Sequence, residues 1–579
     1  MPRPPLANLF AFHSRDEGVL KAATDRLRKS GEFDSLWQPA PGWIVGASPL
    51  PGDDSHGKYG QRPIPELAFA EGREAVSAGA APTNADFWAT LRETACAQPE
   101  RLRNYPGDFG FIAFGADGDA TITRSCGGLA PFYVSRKPGW ACISTRMKWL
   151  IRFAPSEFGF DPLVNALWAA GWTWFPERRT FFQDVSILER GGWARVSEGA
   201  LQFGRYWTPR PDQPPRFDAD RAREHPQRLR ALLIARLERD LDPAGGNLLA
   251  LSGGVDSSAL GALATRRGRK VTSFTTLPVK EESYQREMSF IRPLAQECGF
   301  EGAWGLPLPR LDYLALLRSA PAVEFQISHP VLCALPQLVS KTPVTTLFGG
   351  EMADMLCGSV ATMPDLIDTL SLSETVRHLG ELHVSPRFLG AWLKHRWRDL
   401  RGRLPSAMPF PSQLPGWTCP ELRDELDELR DRRRRQALRE RCAWRQLGML
   451  LEVDGWTAMS WEATSELGLR RSIPFNCREI IELTLECHPL ELIGKDTKLL
   501  LRNALKQDVP ARNLYRRDKG GWGRRDPIPD AVPWNEKLSA RLRGVVRDDW
   551  LPRPPASLDY ETAKMLTRLA VFDGNHPGG

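Results

Sequence analysis

Three stretches of this chain combine glycines, acids and bases in patterns suited to anion chemistry. The first runs Leu248-Leu-Ala-Leu-Ser252-Gly-Gly-Val-Asp256-Ser-Ser258. An apolar run meets a Ser-Gly-Gly turn, and a helix-forming stretch follows at once. Glycine lets a backbone approach an anion closely, and a helix start offers N–H groups and the positive end of its dipole. Leu251, Ser252, Gly253, Gly254, Asp256, Ser257 and Ser258 therefore form a candidate phosphate cradle, with hydroxyl donors from the serines. Asp256 is the odd member, because a carboxylate beside a phosphate makes sense if it holds Mg²⁺. No Gly-Lys-Ser/Thr follows, so the loop is not of the Walker type. The second stretch, Phe348-Gly-Gly350-Glu351-Met-Ala-Asp354-Met-Leu-Cys-Gly358, again sets glycines and acids just past an apolar run. Two strand ends carrying Asp256 and Asp354 could share one Mg²⁺ on a triphosphate, with Gly350 beside the phosphates. The third, Arg516-Arg-Asp-Lys519-Gly-Gly-Trp522-Gly, is basic and glycine-rich. A flexible lysine ammonium such as Lys519 suits charge that develops and collapses during a reaction.

The elements needed to position these residues are legible around them. Arg221–Leu241 reads as a charged helix, Asn247–Leu251 as a short strand and Ser257–Arg267 as a helix. Val271–Thr276 follows as a strand, Ser283–Glu297 as a helix and Val344–Phe348 as a further strand. Such alternation predicts a parallel α/β sheet, and in open α/β sheets ligands sit beyond the carboxyl ends of the strands. The last third reads as almost entirely helical. Upstream, short apolar runs separated by Gly, Pro and Asp predict strands and turns, as at Gly107–Phe114, Asp119–Thr123, Pro131–Val134 and Trp140–Ser144. Helices are expected near Asp86–Cys96 and Pro162–Ala170. The proline-rich stretch Pro209–Phe217 reads as a linker, dividing the chain into residues 1–210 and 211–579.

Composition narrows the class. The chain has 579 residues, 77 Lys+Arg against 70 Asp+Glu, and 42% apolar residues, which is ordinary for a globular protein. A net charge of +7 on this length does not mark a nucleic-acid protein. The run Arg432–Arg435 is balanced by Asp424, Glu425, Asp427, Glu428 and Asp431 on the same stretch. No signal peptide and no membrane span is expected, and the ten scattered cysteines are read as reduced thiols of a cytoplasmic protein. Neither HExxH nor zinc-ligand spacing occurs among the nine histidines.

The Ser-Gly-Gly-Val-Asp-Ser-Ser stretch resembles the pyrophosphate loop of ATP pyrophosphatases, which release pyrophosphate from ATP. Gly349–Gly358 resembles the G-E-G-A-D-E-x-x-G-G segment of asparagine synthetase-like ligases, with Met352 at the middle glycine. The match implies that Asp354 is a second metal carboxylate and that Glu351 stands at the reaction centre. Arg516–Trp522 is similar to the family's lysine-bearing C-terminal segment, which implies that Lys519 sits over the adenylate. Arg471–Glu482 and Lys498–Arg502 resemble two further family segments, read here as packing and positioning elements. Glu462 or Glu466 could supply a second acid–base carboxylate, and the residues leave that choice open. The resemblance implies ATP and Mg²⁺ as cofactors and two parts: an Ntn-glutaminase-like α+β sandwich, then an ATP-pyrophosphatase-type parallel sheet with a helical C-terminal part.

Gly107–Phe114, Arg124–Tyr133 and Ile143–Arg146 resemble the glutaminase part of asparagine synthetase. That chemistry needs a cysteine after the initiator methionine, and this sequence has Pro2. Neither N-G-E nor R-L-x-I appears. The expectation is a glutaminase-like domain without its nucleophile, and an amine supplied by the substrate itself. Lasso-peptide cyclases and β-lactam or carbapenam synthetases resemble this arrangement, as tethering makes amide formation unimolecular. The Arg- and Trp-rich insertion at about 360–450, with Trp392, Trp397 and Trp417, favours a peptide over a small acid. The expectation is thus a lasso-peptide cyclase acting on a precursor peptide alongside leader-binding and protease partners. A small-ring synthetase and a glutamine-independent asparagine synthetase-like ligase are the alternatives, and a non-catalytic scaffold is the competing class.

Overall fold

A computed structural model describes residues 8–48, 64–71, 85–154, 158–169, 175–209, 217–277, 281–307, 335–336, 338–340, 342–358, 393, 397, 414, 416, 418–440, 453–494, 496–516 and 547. The first part is built from strands with two apolar faces. They are β1 (Asn8–Ser14), β2 (Ser35–Trp37), β3 (Trp43–Ser48), β4 (Leu67–Glu71), β5 (Gly110–Phe114), β6 (Ala120–Arg124), β7 (Tyr133–Lys137), β8 (Trp140–Ser144), β9 (Val185–Ile187), β10 (Gly192–Ser197) and β11 (Ala200–Arg205). They form two antiparallel sheets, ordered β2-β3-β1-β8-β7-β9 and β11-β10-β6-β5-β4. Successive side chains leave opposite faces of a strand. Leu9 and Ala11 therefore meet Ile112, Phe114 and Ile122 between the sheets. Phe10 and Phe12 point outward to helices α1 (Glu17–Ser30), α3 (Met147–Phe153) and α4 (Pro162–Ala169). On the opposite outer face Phe69 and Phe111 pack on Trp88 and Leu91 of α2 (Ala85–Ala97). The result is a helix–sheet–sheet–helix sandwich.

The second part holds a parallel sheet ordered β14-β13-β12-β15-β16, comprising β12 (Asn247–Ala250), β13 (Val271–Leu277), β14 (Gly302–Pro307), β15 (Thr346–Phe348) and β16 (Arg470–Ser472). The expected strands and helices are present here, with α5 (Ala219–Asp240), α6 (Val255–Arg266) and α7 (Glu281–Cys298) among them. Two strands went unforeseen. β16 lies within the region read as helical; its Arg470 and Arg471 hide a strand that pairs in parallel with β15. β14 extends β13 on the other flank. The chain passes from β12 to β13 and β14, then returns to β15 on the far side of β12. Ligands favour such a reversal point, at the carboxyl ends of the strands.

Further helices surround the sheet: α8 (Ala353–Leu356), α9 (Glu421–Glu440), α10 (Val453–Glu466), α11 (Arg478–Glu486), α12 (Pro489–Leu492), α13 (Leu499–Leu505) and α14 (Ala511–Leu514). Leu260 and Leu263 of α6 share one core with Leu233 and Leu237 of α5 and Leu500 and Leu501 of α13. His225 of α5 is pinned to α12 by a 2.6 Å contact between Nδ1 and Glu491 Oε2.

Buried polar contacts join the two parts. Asp108 receives Arg236 and, at 3.1 Å, Arg239. Within the second part, Asp240 of the same helix accepts Ser472 Oγ at 2.6 Å. Burial pushes the Asp240 carboxyl up, but the guanidinium groups of Arg236 and Arg239 outweigh it and hold the group down at about 2. Tyr133 donates to Glu462 at 3.1 Å, and Arg146 donates to Ser465 at 2.8 Å. Residues 210–216 of the expected linker lie outside the described residues, as does most of the Arg/Trp-rich insertion. In its described helix, α9, Glu425 receives Arg179 and Arg432 donates to Glu177 at 3.3 Å. Among the described residues no helix is long and apolar enough to cross a membrane.

Candidate active site

β12 delivers its chain directly into the glycine turn. Leu251 is buried, its N–H donates to Phe274 O at 2.9 Å, and its carbonyl accepts Thr275 Oγ1 at 2.5 Å. Gly253 then adopts φ +67°, where an added Cβ would also stand 2.9 Å from Arg516 Nη1. Gly254 precedes α6, and no side chain caps that helix start. Ser257 Oγ accepts from Ser252 N at 3.1 Å and lies 3.2 Å from Ser252 Oγ, so the turn is tied across its mouth. Ser252 is exposed, Ser257 is buried, and Ser258 is fully buried.

The turn is braced from below. Asn513 Nδ2 donates to Gly253 O and to Phe290 O, each at 3.2 Å. Arg516 opens the third stretch, whose pattern suits anion chemistry. Its guanidinium lies instead under the turn, bonded to both oxygens of Glu287 at 3.1 and 2.5 Å, and to Ser252 O at 3.3 Å. It also stacks over Phe290 at 4.1 Å. The pairing with Glu287, on α7, is invisible in the local sequence.

β15 brings the second segment alongside. Gly350 abuts the first turn of α6: a Cβ there would lie 2.6 Å from Asp256 Cβ and 3.0 Å from Ser257 N. Met352 takes φ +72°, a left-handed conformation. A glycine is favoured there; a methionine holds it at a cost of about 1–2 kcal/mol, offset by apolar packing. That packing is supplied by Leu129, Ala130, Trp461 and Ile473.

Asp256 and Asp354 are brought together, and a lysine lies between them. Lys498 Nζ donates to Asp256 Oδ2 and, at 2.6 Å, to Asp354 Oδ1. Burial alone would lower the Lys498 ammonium, but Asp256 and Asp354 outweigh it, and its pKa stands above the ordinary lysine value. In sequence Lys498 reads as part of a packing and positioning element; its place in a family-like segment is the available signal. Its backbone is also unusual, with φ +60°. The two carboxylates fit a divalent cation: they already converge on one cation, and Asp354 is 58% exposed, open to the waters that Mg²⁺ retains.

Glu351 meets a second missed residue, Arg471. Arg471 donates to Glu351 Oε1 and is itself fixed by Ser460 Oγ at 2.8 Å and Leu347 O at 3.1 Å. Glu351 Oε2 is buried and, among the described residues, has no hydrogen-bond partner. It is an acceptor held in place and left open. Glu462 faces the first part of the chain through Tyr133. The side chain of Glu466, and Lys519 as a whole, lie outside the described residues.

A parallel α/β sheet whose reversal point carries a glycine turn, an uncapped helix start and paired carboxylates defines the class: an open parallel α/β protein with its candidate site at the carboxyl ends of the strands. A family model described as "Asparagine synthase" matches residues 229–570, more than half of the chain. This protein belongs to the asparagine synthase family, one of ATP-dependent amide-forming ligases. Relatives from Mycobacterium bovis and two strains of Mycobacterium tuberculosis are each named "Putative asparagine synthetase (glutamine-hydrolyzing)". Each is 24% identical over 473 residues, covering 72% of this chain and 67% of the relative. Among solved structures, a glutamine phosphoribosylpyrophosphate amidotransferase from B. subtilis, complexed with ADP and GMP, is similar with a TM-score of 0.22 and 9% identity. It aligns over 52% of this chain and 91% of its own.

Proposed function

We propose that this chain is an AMP-forming carbon–nitrogen ligase that closes a macrolactam within a peptide, as in lasso-peptide biosynthesis. The observation that carries the nucleotide half of this reading is the convergence of Asp256 and Asp354 on one cation, beside the Gly350–α6 contact. In this reading residues 1–210 form the glutaminase-like domain and 211–579 the synthetase domain. The phosphates of ATP rest on Ser252–Ser258 and Gly350, and Asp256 and Asp354 hold Mg²⁺. The metal supplies charge neutralisation on the triphosphate. An Asp or Glu side-chain carboxylate of the peptide attacks the α-phosphorus and pyrophosphate leaves. The peptide's own N-terminal amine then displaces AMP. Glu351, oriented by Arg471, accepts the proton at Oε2, the open acceptor. Lys519 stabilises the oxyanion. A carboxylate already tethered to its amine needs no ammonia from glutamine, in keeping with the missing N-G-E and R-L-x-I segments. The precursor peptide and the leader-binding and protease proteins are the proposed partners.

The test is mass spectrometry of a precursor peptide incubated with the protein, its partners and Mg²⁺–ATP. The reading expects a product lighter by one water and carrying an internal isopeptide bond. Unchanged peptide, together with ATP-dependent conversion of a small β-amino acid into a ring, would favour the small-ring alternative instead.

A further inference from the structure

Lys498 is built as though to occupy the cation position. Its side chain is 3% exposed, whereas Asp354 is 58% exposed, so the ammonium sits behind the carboxylates as seen from solvent. The backbone aims it there. Lys498 takes φ +60°, and its N–H donates to Gly358 O at 2.9 Å, tying it to the segment that carries Asp354. Gly358 is itself wedged in place, since a Cβ there would lie 2.3 Å from Leu492 O. Arg502 Nε holds the preceding carbonyl, Thr497 O, at 2.7 Å. Lysine is left-handed here without a glycine's freedom, so the position is over-determined by its surroundings.

We propose that Lys498 is an internal counter-ion that exchanges with the metal. In the metal-free protein its ammonium bridges Asp256 and Asp354 and keeps two like charges side by side. When a divalent cation enters from the exposed side of Asp354, the ammonium gives up that bridge and turns its charge to the phosphates lying against α6. The exchange makes metal binding weak without nucleotide and strong with it, because the displaced ammonium regains an anionic partner only when phosphate is present. The inference rests on the Mg²⁺–ATP reading of the site.

The experiment is thermal unfolding of the full chain against Mg²⁺ concentration, without nucleotide, for the native sequence, Lys498→Met and Lys498→Gln. With the competing ammonium removed, both variants should unfold at lower temperature without Mg²⁺. They should half-saturate at a Mg²⁺ concentration at least about tenfold below that of the native protein. Lys498→Arg keeps the positive charge and should retain the native Mg²⁺ dependence. Unchanged or weaker Mg²⁺ binding in the Met and Gln variants would overturn the proposal, as would variants that fail to fold even with Mg²⁺. Protection of the native protein by Mg²⁺–ATP is measured in the same assay. Its absence would sink the nucleotide reading, whereas its presence with unshifted variants would sink the exchange alone.

Discussion

Gly350→Ala is the smallest change that interrogates the contact between the two site segments. The added Cβ would stand 2.6 Å from Asp256 Cβ and 3.0 Å from Ser257 N, both at the start of α6. Carbon atoms rest at about 3.5–4.0 Å, so the segments must part by roughly 1 Å. Neither has slack: α6 is anchored by Leu260 and Leu263 in the core, and the Gly350 segment by the Arg471–Glu351 pair. Forced overpacking of this kind costs about 1–3 kcal/mol of stability. The larger effect falls on chemistry, since a 1 Å misplacement of reacting groups costs on the order of 10²-fold in rate. Urea unfolding reads the first quantity and ATP–pyrophosphate exchange reads the second. A variant that keeps exchange within about threefold of native, against the 10²-fold loss expected from misplacement, would refute Gly350 as the wall of the phosphate site.

Removing either carboxylate of the proposed metal site should be harsher: Asp256→Ala and Asp354→Ala should each cut ATP–pyrophosphate exchange by at least about 10²-fold, and full exchange in either would refute shared metal binding. Arg471→Met leaves the Glu351 carboxylate without its buried partner and should cost about 3 kcal/mol in urea unfolding together with loss of product formation; a loss near zero would show that the pair is idle. Asp240 carries a pH signature. Its folded pKa of about 2 lies below its unfolded value, so its contribution is complete above about pH 4 and is lost as pH falls toward 2. That contribution is roughly 2 kcal/mol. Asp240→Asn should therefore flatten the stability profile between pH 4 and 2, and an unchanged profile would assign the acid sensitivity elsewhere.

The glycine turn and the β12–α6 junction were legible because each is local: a short apolar run, a turn and a helix start follow one another in the chain. Asp256 and Asp354 are far apart in sequence and could be paired only because each follows a strand of one parallel sheet, where ligands sit at the carboxyl ends. The helix–sheet–sheet–helix sandwich was legible in part, through its alternating strands. What stayed hidden is long-range. Lys498 lies 242 residues from Asp256 in sequence, and Arg471 lies 120 from Glu351, so no local spacing pairs them. β16 is a three-residue strand carrying two arginines and has no apolar pattern to announce it. Arg516 reads as one more cation in a basic loop until Glu287 is seen beneath it. Met352, where the family pattern has glycine, showed as a departure in sequence; only its positive φ explains why glycine belongs there.

Carboxylate activation by cleavage of ATP between its α and β phosphates is the step on which the proposed function turns. ATP labelled at the α-phosphate, incubated with the protein, Mg²⁺ and its peptide substrate, tests it most directly. The proposed reaction yields labelled AMP, with one pyrophosphate per amide formed. Labelled ADP with inorganic phosphate would contradict it.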